Sequence, residues 1–404
     1  MSMANDDMHI KTNIRDLAFY NGQPTFKQPL FVNKPNLGNR DYFITLTDEI
    51  LDSGQFTNNG PKVTKLETEI SKYLDVNHCV VVNNGTMAML LMIKSLELMG
   101  EVIIPSFNFI STAHTLSWLG IKPIFCDIDI NTHNIDPSKC EELITDKTTA
   151  IIATHIWGRS CDVEHLSKIA QKHHLHLIFD AAHAFGCTHN GKLIGSFGDA
   201  EVFSFHATKA FHTFEGGAIT TTNKEIADKL RIIRNFGFVD YDEVIGVGTN
   251  GKMPEICAAM GLSNLKAFST TMTKCKETYL EYKKCVSNIS GVKLIDYDEK
   301  EKNNCHYIVL EIDEQKTRIS RDDLIKLLHA ENIIARRYFY PGNHKMEPYR
   351  SLYPSNKHMI LTDNLASNVL LLPSGATVNN RIIENICALL RFLVEKSDLI
   401  KIGI

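Results

Sequence analysis

The chain has 404 residues, 44% hydrophobic and 22% charged, with 43 Lys+Arg against 47 Asp+Glu and a formal charge of −4. These values exclude disordered, collagen-like and coiled-coil classes. No basic surplus points to nucleic acid or an anionic membrane as the main partner. The length allows about two to four domains and a core large enough to need no disulfide staples.

The ten cysteines form no C-x-x-C pair, so zinc-ribbon and thioredoxin readings find no support. The opening MSMANDDMHI lacks the basic and apolar regions of a secretory signal. No stretch approaches 18 apolar residues, so no membrane span is expected. Free thiols without an export signal point to the reducing cytoplasm.

Residues 1–25 are polar and aperiodic, and they read as a loose N-terminal extension. Pro61 after Asn58-Asn59-Gly60 marks a helix start. Val63, Leu66, Ile70 and Leu74 then form one amphipathic stripe. Cys79–Val82 predicts a short strand, followed by a helix from Thr86 to about Leu98. The alternation continues with strand Glu101–Pro105, helix Phe109–Leu119, strand Ile124–Asp127 and strand Thr149–His155. Helix Val163–His173 and strands Leu175–Asp180, Val202–His206 and Ala218–Thr222 follow. Strands alternating with helices predict an α/β class, a mostly parallel sheet with helices on both faces. From about residue 265 long polar helical stretches appear, then Cys305–Ile312 and the helix Arg321–Ala330. The expected division is a large domain over 26–265 and a smaller α+β domain over 266–404.

Ligands of open α/β sheets sit beyond the carboxyl ends of the strands. The polar residues just after predicted strands are Asn83–Thr86, Ser106–Phe109, His155, Asp180 and Ser204–Lys209. Gly85-Thr86 opens a helix, where free amides and the dipole favour phosphate, though an ordinary Thr cap has the same appearance. Asp180 ends an apolar strand and suits a cationic ring nitrogen or a metal, or simply caps the next helix. His183 follows within one turn. Lys209 lies past a strand rich in aromatics, where desolvation lowers an amine's proton affinity as a Schiff-base lysine requires. Gly216-Gly217 just beyond predict close backbone approach to a bulky ligand. His206 and His212 flank Lys209 without the spacing of a metal site, so no metal is expected.

The segments Leu51–Gly54, Asn59–Pro61, Asn84–Thr86, Pro105–Phe109, Phe179–His183, Phe203–Lys209, Glu215–Gly217, Asn235–Phe238, Gly248–Asn250 and Ala258-Ala259 occur in order. Together they resemble the fold-type-I aminotransferases of the DegT/StrS family, which use pyridoxal 5′-phosphate (PLP) on nucleotide sugars. The resemblance runs from about residue 28 to the C-terminus. Lys34-Pro35-Asn36, Thr57–Pro61 and the run Phe205–Gly217 look closest to members making dTDP-4-amino-4,6-dideoxyglucose for O-antigen or other glycans.

The resemblance implies that Lys209 forms the Schiff base and Asp180 pairs with the protonated pyridine nitrogen. It places His183, where the family usually has Gln, at the phenolic oxygen, and Phe109 stacked on the ring. Gly85, Thr86, Met87 and Ser204 would hold the phosphate. Asn250 would reach the phosphate of the neighbouring subunit, implying a homodimer with shared active sites. Tyr338 and His344 fall in the sugar-side loop. The family often has Arg two residues after that asparagine, and here stands Lys252. The implied cycle is ping-pong: glutamate leaves as 2-oxoglutarate, the cofactor becomes pyridoxamine phosphate (PMP), and PMP aminates the C4 ketone of a dTDP-hexose. The competing activities are C3 amination, sugar 3-dehydration, in which His replaces the lysine, and a PLP-binding sensor without catalysis.

Overall fold

The run Cys79–Val82 is continuously apolar because both faces of its strand are covered. In the computed structural model, which describes residues 9, 11–353, 359–375 and 378–401, Val80 and Val82 face one hydrophobic cluster and Cys79 and Val81 face another. The strand is β1 (His78–Val82) of a seven-stranded sheet. The others are β2 (Glu101–Pro105), β3 (Lys122–Cys126), β4 (Thr148–Thr154), β5 (His176–Asp180), β6 (Ala200–Ser204) and β7 (Gly217–Thr221). The spatial order is β1-β7-β6-β5-β4-β2-β3. Six strands run parallel, and β7 is inserted antiparallel between β1 and β6.

Helices cover both faces. The ten labelled here are α1 (Arg40–Ser53), α2 (Pro61–Leu74), α3 (Gly85–Ser95), α4 (Ser111–Trp118), α5 (Pro137–Glu142), α6 (Val163–His173), α7 (Lys224–Arg234), α8 (Glu255–Val286), α9 (Arg321–Ala330) and α10 (Asn380–Glu395). Met89, Leu116 and Leu230 of α3, α4 and α7 pack on one face of the sheet. On the other, α1, α2 and the first half of α8 bring Ile50, Leu66 and Phe268, while α6 brings Leu166. Pro61 is the first residue of α2, where its missing N–H leaves no bond unmade, and Val63, Leu66, Ile70 and Leu74 are fully buried.

A second core forms around the antiparallel sheet β8 (Val292–Leu294), β9 (Ile308–Ile312) and β10 (Val369–Leu372). Its cluster joins Tyr279 and Tyr282 of α8 to α9 and α10. Helix α8 is 32 residues long, so residue 265 lies inside one continuous helix serving both cores.

Residues 1–8 and 10 of the expected extension lie outside the described residues, but 11–25 are tied down. Leu17 is fully buried in the second core. The buried Glu331 carboxylate accepts from the amides of Ala18 and Thr25 (both 2.7 Å) and the Thr25 hydroxyl (2.8 Å), and it pairs with the Lys11 ammonium at 3.1 Å. Local polarity hid this contact, because its partner lies some 300 residues away. Beyond it, Leu30–Phe31 pair in parallel with Ile333–Ile334. Removing one side of a buried pair costs about 3–5 kcal/mol. Glu331→Ala is therefore expected to lower stability by about that much in denaturant titrations and to expose 11–25 to proteolysis. A loss below about 1 kcal/mol with 11–25 still protected would contradict it.

Candidate active site

The carboxyl ends of the sheet strands line up through their register. Thr154 lies beside Asp180, Asp180 beside Val202, and Ser204 beside Gly217, which also pairs with Val82. Above this edge is a cavity of ≈ 320 Å³. Gly85, Thr86, Phe109, Asp180, His183, Ser204, Lys209 and Tyr338 all line it, gathered from segments spread over 250 residues of chain.

Lys209 follows β6. Its ammonium donates to the Tyr307 hydroxyl at 3.2 Å. Burial among apolar walls pulls the amine down to about 8, against the opposing pull of the Asp180 carboxylate. Asp180 itself is pushed up by burial, and donors restrain the shift. The Ala182 amide donates to Oδ1 at 3.1 Å and the Thr112 hydroxyl to Oδ2 at 3.0 Å. Asn108 holds Thr112 in turn: its amide donates to the hydroxyls of Thr112 (3.0 Å) and Thr154 (2.9 Å).

His183 stacks on Phe339, centroids 5.8 Å apart and rings nearly parallel, and lies 4.7 Å from the Tyr307 ring. Its Nδ1 accepts from the Trp157 amide at 3.2 Å. Burial keeps the ring neutral by lowering its pKa well below the usual value, with the Lys209 charge adding to this. A neutral ring that accepts at Nδ1 carries its hydrogen on Nε2 and so presents a donor there.

The start of α3 is an anion cradle. Asn84 caps the helix, its side chain accepting from the Met87 amide at 2.7 Å. The amides of Gly85 and Thr86 have no acceptor among the described residues. A Cβ on Gly85 would stand 2.8 Å from the Cβ of Ser204, so only glycine lets this helix start touch the end of β6.

Several expectations are placed differently. Met87 does not line the cavity, and its amide is spent on the cap. His344 is buried outside the cavity, its Nδ1 hydrogen-bonded to the Ser106 hydroxyl and its Nε2 3.1 Å from Asp363. Asn250 is exposed and does not line this cavity, and its carbonyl accepts from the Asn83 side-chain amide at 3.3 Å. Lys252 donates to Asn235 at 3.0 Å and lies over the Phe236 ring. Gly216-Gly217 make room for the chain itself and not for a ligand. A Cβ on Gly217 would meet the Asn84 carbonyl carbon at 2.7 Å, and one on Gly216 the Thr213 hydroxyl at 2.0 Å.

Sequence reasoning missed Tyr307, Thr112, Thr154 and Phe339. Thr154 carried the strand-end signal that marked Asp180, and Thr112 lies four residues past Asn108, in the first turn of α4. Tyr307 immediately precedes β9 and carried no local signal.

The set fits a ligand with an anionic end, a flat apolar ring bearing a cationic nitrogen and an acceptor oxygen, and an electrophilic carbon for the amine. The comparisons agree with this chemistry. Residues 39–391 match the DegT/DnrJ/EryC1/StrS aminotransferase family. A dTDP-4-amino-4,6-dideoxy-D-glucose transaminase of Shigella dysenteriae is 38% identical over 365 residues, 90% of this chain and 99% of the relative. A dTDP-3-amino-3,6-dideoxy-alpha-D-galactopyranose transaminase of Aneurinibacillus thermoaerophilus is 31% identical, covering 84% and 92%. The crystal structure of DesI in the presence of its TDP-sugar product superposes with a TM-score of 0.92 at 40% identity, covering 95% and 98%. The chain belongs to the DegT/DnrJ/EryC1/StrS aminotransferase family and is a PLP-dependent sugar aminotransferase.

Proposed function

We propose that the protein moves the amino group of glutamate to the C4 ketone of dTDP-4-keto-6-deoxyglucose, giving dTDP-4-amino-4,6-dideoxyglucose. The observation that carries the reading is the Lys209 amine, depressed to about 8 in a cavity that also holds the buried Asp180 carboxylate. The name of the 38% identical relative supports the C4 position, and it and the TDP-sugar product of the 40% identical structure support the thymidine nucleotide.

PLP, when bound, supplies an electron sink for the carbon that loses a proton. The chain's residues do the rest. Lys209 would hold the cofactor and, once free, would carry the proton from the donor's carbon to the cofactor carbon that takes up the amine, as base and then acid. Asp180 would keep the ring nitrogen protonated, with Thr112 and Ala182 fixing the carboxylate's orientation. His183 would donate from Nε2 to the phenolic oxygen. Gly85, Thr86 and Ser204 would hold the phosphate, and Phe109 would pack on the ring. Tyr307 holds the Lys209 amine in place.

The same reading takes residues 26–265 and 266–404 as the two domains and the working unit as a homodimer. Asn250 would complete the partner's phosphate site. Exposed Phe236, Val244, Ile245 and Val247 support an interface there, since clustered apolar exposure marks association surfaces.

The amine's depression has a sign. Below about pH 8 the amine is charged and inert; above it the neutral nucleophile dominates. Capture of PLP by cofactor-free protein, followed by absorbance, is expected to speed up about tenfold per pH unit to near pH 8, then level. A rise continuing past pH 9 would show an ordinary lysine.

The deciding experiment is product analysis. The enzyme is incubated with glutamate and each dTDP-keto-sugar, and the new amine is located by NMR. An amine at C4 is expected. An amine at C3, as in the Aneurinibacillus relative's name, or loss of the C3 hydroxyl would sink the reading.

A further inference from the structure

Two parts of the cavity wall are joined by His344, which itself lies outside the cavity. One is the segment Ser106–Phe109 after β2, which brings Asn108 and Phe109 to the cavity, and the other is Tyr338-Phe339. We propose that His344 is a positioning residue for the transamination: bonded to Ser106 and set against Asp363, it locks these two wall segments in one register and so fixes how Phe109 and Asp180 meet the cofactor. The last step rests on the roles given to Phe109 and Asp180 above.

The bonds give the first argument. Ser106 is fully buried, and its hydroxyl is hydrogen-bonded to Nδ1 of His344. The backbone repeats the link, since the Asn343 amide donates to the Ser106 carbonyl at 2.8 Å. On the other side of the ring, Nε2 is 3.1 Å from Oδ1 of Asp363, which also meets the Lys345 ammonium at 2.7 Å. The Nε2 contact is polar but off the hydrogen-bond line. Asp363 lies in the helix Ile360–Asn368, whose amides of Leu361 and Thr362 donate to Asp127 just after β3. Burial lowers the His344 pKa, against the pull of the Asp363 carboxylate. The neutral ring keeps its hydrogen on Nε2, beside the carboxylate, and Nδ1 accepts from Ser106. The Asn343 side chain is fully buried with neither polar atom partnered among the described residues, so His344 supplies the side-chain link.

What these bonds hold gives the second. Phe339 has Phe109 and His183 as neighbours, with centroids 6.2 and 5.8 Å away, and meets Phe107 edge-on at 5.8 Å. Asn108 steadies Thr112, and Thr112 donates to Asp180. A slip of the Ser106 segment therefore moves the Phe109 ring directly and reaches Asp180 through Asn108 and Thr112. Phe107, Phe339 and Leu365 share one hydrophobic cluster. Apolar burial is non-directional, so it holds the segments together without setting their register. The hydrogen bond between Ser106 and His344 is directional and sets it.

The test compares His344→Ala, His344→Asn and Ser106→Ala as holoenzymes. His344→Ala is expected to lower kcat about 10- to 100-fold, the cost of a misplacement of about 1 Å made away from the chemistry. The loss should fall equally on kcat and kcat/KM, with KM unchanged. The visible circular dichroism of the lysine-bound cofactor, which reports how the ring is held, should weaken. His344→Asn puts an acceptor oxygen near the place of Nδ1 and should recover part of both. Ser106→Ala should lose about as much as His344→Ala, and the double variant no more than either, since residues in contact couple. Arg350→Ala removes an exposed cation of the same segment, paired with Glu347, and should change nothing. A folded His344→Ala or Ser106→Ala with wild-type kcat and visible dichroism overturns the proposal, whatever its melting temperature. Additive losses in the double variant overturn it as well, and so does a change confined to the KM for the nucleotide sugar. If His344→Ala has these effects while Asp180→Asn and Phe109→Ala leave kcat and dichroism untouched, the positioning role stands and the roles given to Asp180 and Phe109 fail.

Discussion

Lys209→Ala is expected to abolish turnover, lowering kcat by at least about 10⁴-fold. Two losses combine in this variant. The cofactor is no longer held covalently, so the visible absorbance of the lysine-bound form should vanish. The proton also loses its carrier, and a positioned acid–base group alone contributes about 10²–10⁴-fold. Among the described residues the Lys209 amine bonds only to Tyr307 Oη, so the variant leaves one phenol without a partner and the core intact. Circular dichroism should therefore be unchanged. Lys209→Arg should be nearly as inactive, since a guanidinium stays charged and cannot serve as nucleophile or base. Full turnover with retained visible absorbance in the alanine variant would refute the assignment, and with it the reading of the whole cavity.

Asp180→Asn should come second, at about 10²–10⁴-fold in kcat. The amide keeps the size of the side chain and one acceptor for the Thr112 hydroxyl or the Ala182 amide. What it loses is the charge that holds a proton on the ring nitrogen. The structure makes that charge available at some cost: burial pushes the carboxyl up, and the Ala182 and Thr112 donors hold the rise in check. A cationic nitrogen in the cavity completes what those donors begin. Thr112→Val, which removes one donor, should cost less, about tenfold, and should not abolish cofactor binding. Equal kcat in wild type and Asp180→Asn, measured with saturating cofactor, would remove Asp180 from the chemistry.

The sheet was readable from the sequence because it is buried on both faces. Each strand shows as a short apolar run closed by a polar residue, and those closing residues gathered at one edge. Asp180, Ser204 and Lys209 were found in this way. The antiparallel sense of β7 was not readable, since Gly217–Thr221 has the same apolar pattern in either direction. Gly216 before it and Gly217 at its start were assigned to a ligand when the inserted strand itself requires them. His344 looked like a substrate residue because it sits in a motif beside Tyr338, yet its ring turns to Ser106 and Asp363. Tyr307 escaped notice because the distant pairing of the neighbouring strand β9 brings it to the cavity, and a contact that depends on distant pairing leaves no local periodicity.

The two-residue pairing of Leu30–Phe31 with Ile333–Ile334 has a consequence for synthesis. Val32 and Asn33 leave the first of these strands into the cavity wall, and Tyr338 and Phe339 follow the second. A chain emerging from the ribosome carries Asp180 and Lys209 long before it carries their lid. Domains tend to fold as they emerge, so the sheet can form while the cavity is still open to water on that side. Closure waits for a contact spanning roughly 300 residues, the kind of loop that is slowest to close. The enzyme therefore becomes competent as one of its last acts of folding, and a chain cut short before residue 333 would hold its reactive amine in an open groove.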